Sequence, residues 1–232
     1  MKKLILLLLF IPLVSFGQDQ FIIQGSEESK KFEITKNNRY LGVIERFNKI
    51  EFAQELFKKI NGNYSNSLDE LIDFIGNGKI PLIIKKDSTY MEYDERYGID
   101  MIKEVVVTET VGYDYVKDIL FPSKSYDRYF RDYSYKKIGA SPVTNKKFNL
   151  KSYVINEGGY DIPIFELRVT KELILSDQIP YLIKNEIEKN RNFDGIDYSQ
   201  FYLRSTSGIV RKNWDEWKAD DGSSFISSLK LK

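Results

Sequence analysis

Across residues 39–60 the apolar side chains recur at spacings of three, four and seven, a period that no β-strand can carry. Tyr40, Val43, Phe47, Ile50 and Phe57 draw the stripe, and Leu41, Ile44, Ala53, Leu56 and Ile60 widen it. Glu45, Lys49, Glu51, Glu55 and Lys58 take much of the remaining surface. A stripe this broad has to be covered by another layer, so the spacing predicts one long amphipathic helix stopping at Gly62.

The residues that follow supply punctuation. Asn61, Gly62, Asn63 and Asn66 make a loop, and Ser67 with Glu70 three positions on is a capping-box signature. Leu68, Leu71, Ile72 and Ile75 then give a short helix its apolar face, ended by Gly76 or Gly78. Asp69 and Asp73 lie one turn apart. Acidic groups in a first turn complement the helix dipole, a reading preferred here to a catalytic pair or a calcium site.

The second part of the chain is β-rich. Pro81 opens an extended stretch at Leu82, Ile83 and Ile84, and residues 102–111 read as a strand rich in Val and Thr. Between them residues 87–100 are polar and Tyr-rich, lack the order of a calcium loop, and read as a solvated loop. Residues 148–156 and 161–170 flank Gly158-Gly159 and predict a hairpin. A later helix is expected over residues 175–190, with Ser176 or Asp177 as cap and Pro180 in its first turn, and residues 201–205 form a further strand. The expected architecture is α+β: a long N-terminal amphipathic helix and a short capped helix packed on a mainly antiparallel sheet, with a later helix. Residues 18–38 are expected to be a polar N-terminal segment and 39–232 a single domain, with a helical stem over 39–78 and the β-rich part over 79–232.

The start of the chain has the three parts of a secretory signal peptide: Lys2 and Lys3, an apolar run over residues 4–14, and small residues before a cut between Gly17 and Gln18. The run is short of the roughly 20 residues a membrane-spanning helix needs. A chain trimmed there would carry 33 basic against 34 acidic residues, a balance that draws it to neither nucleic acid nor an anionic bilayer. The expectation is a periplasmic or secreted protein, with no membrane insertion after cleavage and no nucleic-acid partner.

Two absences limit its chemistry. The chain has no Cys and no His. Disulfide frameworks, thiol nucleophiles, Ser-His-acid triads and His-based zinc sites are therefore excluded. Carboxylate pairs such as Asp94/Glu95 or Asp220/Asp221 could serve a glycosidase, but sequence neighbours rarely converge on one bond. No catalytic, cofactor-binding or metal-binding residue is assigned. Two aromatic groups are candidate contact surfaces. Tyr126, Tyr129, Arg131 and Tyr133 stand in a run of interleaved aromatic and basic residues, and Trp214 and Trp217 sit three apart. The Tyr run fits a half-exposed strand first and sugar or protein contact second, whereas the Trp pair fits a core or interface role first and a glycan platform second.

From Arg39 to Ile75 the segment RYLGVIERFNKIEFAQELFKKINGNYSNSLDELIDFI is similar to the stem of type II pseudopilins and type IV pilin-like proteins. There a helix with Ala-Gln near its middle leads into an Asn-Gly-x-Tyr turn and a short Leu-x-x-Leu helix. The chain also resembles a family of uncharacterised Bacteroidetes cell-envelope proteins that share this stem. The likeness extends through Ile119-Leu120-Phe121, Pro163-Ile164-Phe165-Glu166, Leu203-Arg204-Ser205 and Asn213-Trp214-Asp215. Pilin-like proteins run an apolar helix straight into the stem, whereas here polar residues follow the leader. The resemblance implies an envelope location and transfers no functional residue. Together these readings predict a non-enzymatic exported protein acting through protein contacts with envelope proteins or with itself, as an accessory subunit of a surface or secretion assembly. The alternatives are a small-ligand or glycan-binding module and a carboxylate-based hydrolase.

Overall fold

The computed structural model describes residues 27–122, 134–189, 197, 199–206 and 209–216. Helix α1 spans Glu27–Asn61, so the stem begins twelve residues before the apolar stripe does, within what the sequence suggested was a polar segment. Burial of Phe32 and Asn37 and charge pairing together carry that extra length. Lys31 meets Glu27 one turn away and Lys36 meets Glu33 at 2.7 Å. From Tyr40 onward the stripe is covered, and Tyr40, Val43, Phe47, Ile50 and Ala53 are fully buried.

What covers them is a four-stranded antiparallel meander. Strands β3 (Asn149–Glu157) and β4 (Tyr160–Thr170) form the expected hairpin, and both turn glycines have positive φ, 61° at Gly158 and 85° at Gly159. That left-handed pair is what a tight two-residue hairpin needs, and glycine reaches it without strain. Strand β5 (Gln200–Thr206) pairs with β4, and β6 (Ile209–Lys212) completes the order β3-β4-β5-β6. Phe165, Leu167, Val169, Phe201 and Leu203 turn inward onto α1. Aromatic edges lock the two layers. Tyr40 meets Phe201 at 5.0 Å between ring centroids, and Phe47 meets Phe148 at 5.4 Å and Trp214 at 5.5 Å.

Helix α2 (Leu68–Asn77) closes the other flank of α1 with Leu71 and Ile75, and Phe57 stacks edge-on against Phe74 at 5.1 Å. Its cap follows the motif in part. The Ser67 hydroxyl accepts from the Glu70 amide at 3.1 Å, while the Glu70 carboxylate reaches back to the Ser65 hydroxyl at 2.6 Å and the Asn66 amide at 3.3 Å. Asp69 pairs with Lys147, and Asp73 accepts from Asn77 one turn on.

The stem motif has a physical meaning. Gln54, fully buried on α1, presents its amide to the Ser65 backbone, donating to the carbonyl at 3.0 Å and accepting from the N–H at 2.9 Å. This folds the loop after Gly62 back along the helix. Tyr64 is thereby pressed onto Phe165 at 4.8 Å, with its hydroxyl donating to Glu55 at 2.6 Å and lying 3.0 Å from Ser205. Helix, loop and sheet meet at these residues.

Between α2 and the meander a second sheet departs from the body. Strands β1 (Lys79–Asp94) and β2 (Ile99–Tyr115) pair antiparallel along their whole length, through a turn at residues 95–98 in which Gly98 has φ 64°. Of residues 87–100 only 95–98 form a turn, and the rest lengthen the two strands. Their charges are compatible with a strand because both faces of the ribbon meet water, and Lys86–Glu109 (2.8 Å) and Lys103–Glu92 (2.6 Å) pair across it. Helix α3 (Val116–Leu120) returns the chain to the body, burying Val116 and Leu120. A short 3₁₀ turn (Tyr135–Lys137) and helices α4 (Lys171–Ile174), α5 (Pro180–Lys189) and α6 (Asn213–Glu216) complete the described elements. The later helix starts at Pro180 rather than residue 175. Pro with its fixed φ and missing N–H suits the first helical position, and Asp177 is taken by Arg39 at 2.8 Å instead of capping.

Two outcomes test this account. Gln54→Leu leaves both Ser65 backbone groups buried and unpaired, so it should cost about 2–4 kcal/mol in urea unfolding. Replacing residues 83–110 with Asn-Gly should leave the thermal midpoint within a few degrees, because that length of ribbon buries none of its side chains on the body.

Candidate functional site

Three arrangements in the structure have chemistry beyond core packing. The first is the ribbon. A strand of 16 residues rises by roughly 3.3 Å per residue, which gives an arm on the order of 50 Å long. None of the residues of β1 or β2 is buried, and all but Ile80, Asp94 and Gly112 are exposed. Ile83, Ile84, Met91, Ile102, Val106 and Tyr113 are among the large apolar side chains in water, Ile102 at 69% exposure. A two-stranded sheet without a covered face is marginal in water, and exposed apolar surface on this scale makes the ribbon a candidate interaction site.

The second arrangement is on the outer face of the meander. Register sets Lys151, Glu166, Arg204 and Arg211 in one cross-strand row, with Asn149, Arg168 and Tyr202 in the next. Glu166 is the hub. Tyr153 donates to it at 2.8 Å, Arg168 at 2.8 Å and Tyr202 at 3.3 Å, and Arg204 stands 3.5 Å away. Partial burial would raise its pKa, but the hydrogen bonds from Tyr153 and Arg168 outweigh it and hold the carboxyl below its ordinary value. A cavity of about 150 Å³ opens here between Asn149, Lys151, Glu166 and Arg168. The sequence signal for this face was the alternation of Glu166 and Arg168 with Leu167, and of Tyr202 and Arg204 with Leu203. Sequence reasoning missed it because each pair also fits an ordinary solvated strand.

The third is a buried charge cluster where α1, α4 and α5 meet. Lys171 is fully buried, and its ammonium is 3.3 Å from Glu186, which also receives Tyr40 and Lys36 at 3.2 Å each. Burial pushes the Lys171 ammonium down to about 8 against the pull of Glu186. Burial also raises the Tyr40 hydroxyl well above its ordinary 10.0, and the neighbouring Glu186 adds to this. A lysine so perturbed is a form in which amine nucleophiles occur, but its Nζ is closed off from solvent in this conformation. The arrangement joins helices rather than facing a substrate.

The residues singled out from the sequence fall elsewhere. Trp214 is 2% exposed, wedged between Phe47 and Phe201, so it belongs to the core and offers no contact surface or sugar platform. The reason is local: α6 follows β6 directly and turns the indole under the sheet. Tyr126, Tyr129, Arg131, Tyr133, Trp217 and the cleavage pair Gly17 and Gln18 lie outside the described residues. Asp94 caps the ribbon turn by accepting from the Arg96 amide at 2.9 Å. Among the described residues no three carboxylates converge as metal ligands, and no helix is long and apolar enough to cross a membrane.

The charge cluster predicts an alkaline stability profile. Lys171 releases its proton near pH 8 in the folded chain and near 10.5 in the unfolded one. Between those values the unfolded state holds the extra proton, so stability rises with pH. Above pH 10 the opposite sign takes over. Unfolded Tyr40 and Tyr64 ionise while the folded side chains resist, Tyr64 being pushed up to about 12, so stability falls. Urea midpoints measured from pH 7.5 to 11 should pass through a maximum near pH 10, with a rise on the order of 2 kcal/mol. Lys171→Met should remove the rise and keep the fall, and identical profiles for both proteins would refute the assignment. No protein-family model, curated protein or solved structure matches the chain.

Proposed function

We propose that this chain is an exported envelope protein that acts through protein contacts, as an accessory subunit of a surface or secretion assembly, with the β1–β2 ribbon as its contact arm. One observation carries the reading: an arm of two long strands, rich in Ile, Val, Met and Tyr, stands in water with no side chain buried. Of its residues only Ile80, at the root, packs against the core of the body. An unpaired strand edge offers a row of backbone donors and acceptors, and strand addition is a general way for proteins to recognise one another. The leader at residues 1–17 supports export, and the absence of His and Cys from the chain supports a role without catalysis. The long helix laid across an antiparallel meander suits the pilin-like resemblance of residues 39–75, with the Gln54–Ser65 clamp giving its Ala-Gln and Asn-Gly-x-Tyr elements a structural task.

A small-ligand module is the second reading, favoured by the cavity beside Glu166. It ranks lower because Tyr153, Arg168 and Tyr202 already donate to Glu166, the carboxylate that would face a ligand there.

Expression of the tagged chain in a bacterium with its own envelope tests the proposal. The exported form should begin at Gln18, and cross-linked envelope complexes should contain it. The variant with residues 83–110 replaced by Asn-Gly should be exported in equal amount yet lose those complexes. Complexes that persist without the ribbon would contradict the assignment of the arm.

A further inference from the structure

We infer that the outer edge of β2 pairs with β2 of a second copy of this chain, antiparallel about a twofold axis through Val106. The inference rests on the reading of the ribbon as a contact arm and names what the arm meets.

The faces of the ribbon rule themselves out as the docking surface. One carries Lys86, Glu92, Asp94, Lys103 and Glu109, and the other Lys85, Asp87, Asp100 and Glu104. Burying either face in a bilayer or against a second sheet would strip at least four charges of water. Pairing along an edge leaves both faces wet and satisfies only the backbone.

The two edges differ. β1 contains Pro81, which has no N–H to give, and the consecutive charges Lys85, Lys86 and Asp87, the devices that blunt an edge. β2 has no proline, and Val105, Val106 and Val107 form its centre with Thr108 and Thr110 beyond. Those β-branched residues favour pairing. Among the described residues no strand lies on the outer side of β2.

Symmetry then selects the register. A twofold axis perpendicular to an antiparallel pair must pass through a residue, because paired side chains share a face. Residues opposite each other therefore differ by an even number. Lys103 is the only cation of β2, and of its acids only Glu109 lies at an even separation from Lys103. The axis that opposes them is Val106. There Val105 faces Val107, Glu104 faces Thr108 and Ile102 faces Thr110, with no like charges opposed. Moving the axis to Val107 sets Asp100 against Asp114, and moving it to Val105 sets Met101 against Glu109. The ladder ends where the register shift opposite Leu82 and Ile83 leaves Val111 as the extra residue on β2. The product is a four-stranded sheet, β1-β2-β2-β1, whose outer edges are the two guarded β1 strands. Growth stops at the dimer.

The chain has no Cys, so single-cysteine variants of the mature protein report the register without background. At positions 104 to 108, mild oxidation should give a disulfide-linked dimer only for Val106→Cys, while Val105→Cys and Val107→Cys should cross-link only when mixed with each other. By sedimentation velocity the native protein should have twice the chain mass. Val106→Lys and Val106→Glu should each lose the dimer while keeping native circular dichroism, and an equimolar mixture should restore it. A native monomer, or a cross-linking maximum at another position, overturns the inference. If the monomer still needs the ribbon for its envelope complexes, the contact-arm reading stands and only the identity of the partner falls. If ribbon excision leaves those complexes intact as well, both fall.

Discussion

Everything in this structure depends on the apolar stripe of α1 meeting the inner face of the meander. Tyr40, Phe47 and Ile50 project from one side of that contact, and Phe165, Leu167, Phe201 and Leu203 from the other. Trp214 bridges Phe47 and Phe201 and fills the space where the sheet ends. A body of this size without disulfides depends on such burial for its stability. The two polar clamps near the ends of the contact fix its alignment. Gln54 holds the loop after the helix, and Glu186 gathers Lys171, Lys36 and Tyr40 where α4 and α5 cross its first half. Apolar packing sets how much is buried, and these satisfied polar groups set which residues meet.

The ribbon has no part in that arrangement, which is why it carries the functional reading. Its root is tied down: the Val116 amide donates to the Gly78 carbonyl at 3.0 Å, and Ile80 packs partly against the core. Beyond the root, pairing between β1 and β2 and a few exposed ion pairs hold it together. Exposed ion pairs contribute little each. Such an arm needs something on its free edge to become rigid, and the differing edges of β1 and β2 give that partner one side to approach. The envelope role, the contact arm and the pairing of copies are proposals of increasing specificity.

The parts of the fold legible in the sequence were those with a local code. The stripe from Tyr40 to Phe57 had helical period, Ser67 and Glu70 had capping spacing, and Gly158-Gly159 had turn chemistry, and each lies where expected. The parts missed were decided at a distance. Residues 27–38 offer too few apolar positions for a period to be read, and Phe32 alone anchors them in the core while charge pairs line the rest. Residues 87–100 looked like a loop because their charges argued against burial, and a strand exposed on both faces escapes that argument. Strand β6 is four residues long, and its partner β5 defines it. Trp214 was ambiguous between core and surface, since a Trp near the end of a domain serves either. The site was less legible than the fold: period and spacing reveal strands, but not that two of them leave the body together.

Hydrogen exchange of the β2 amides at increasing protein concentration tests the central claim most directly. The ribbon account predicts that alternate amides between Ile102 and Thr110, those on the free edge, gain protection as concentration rises, while the outer amides of β1 stay fast. Fast exchange of those β2 amides at every concentration, with protection confined to pairs within the hairpin and to the body, would contradict it.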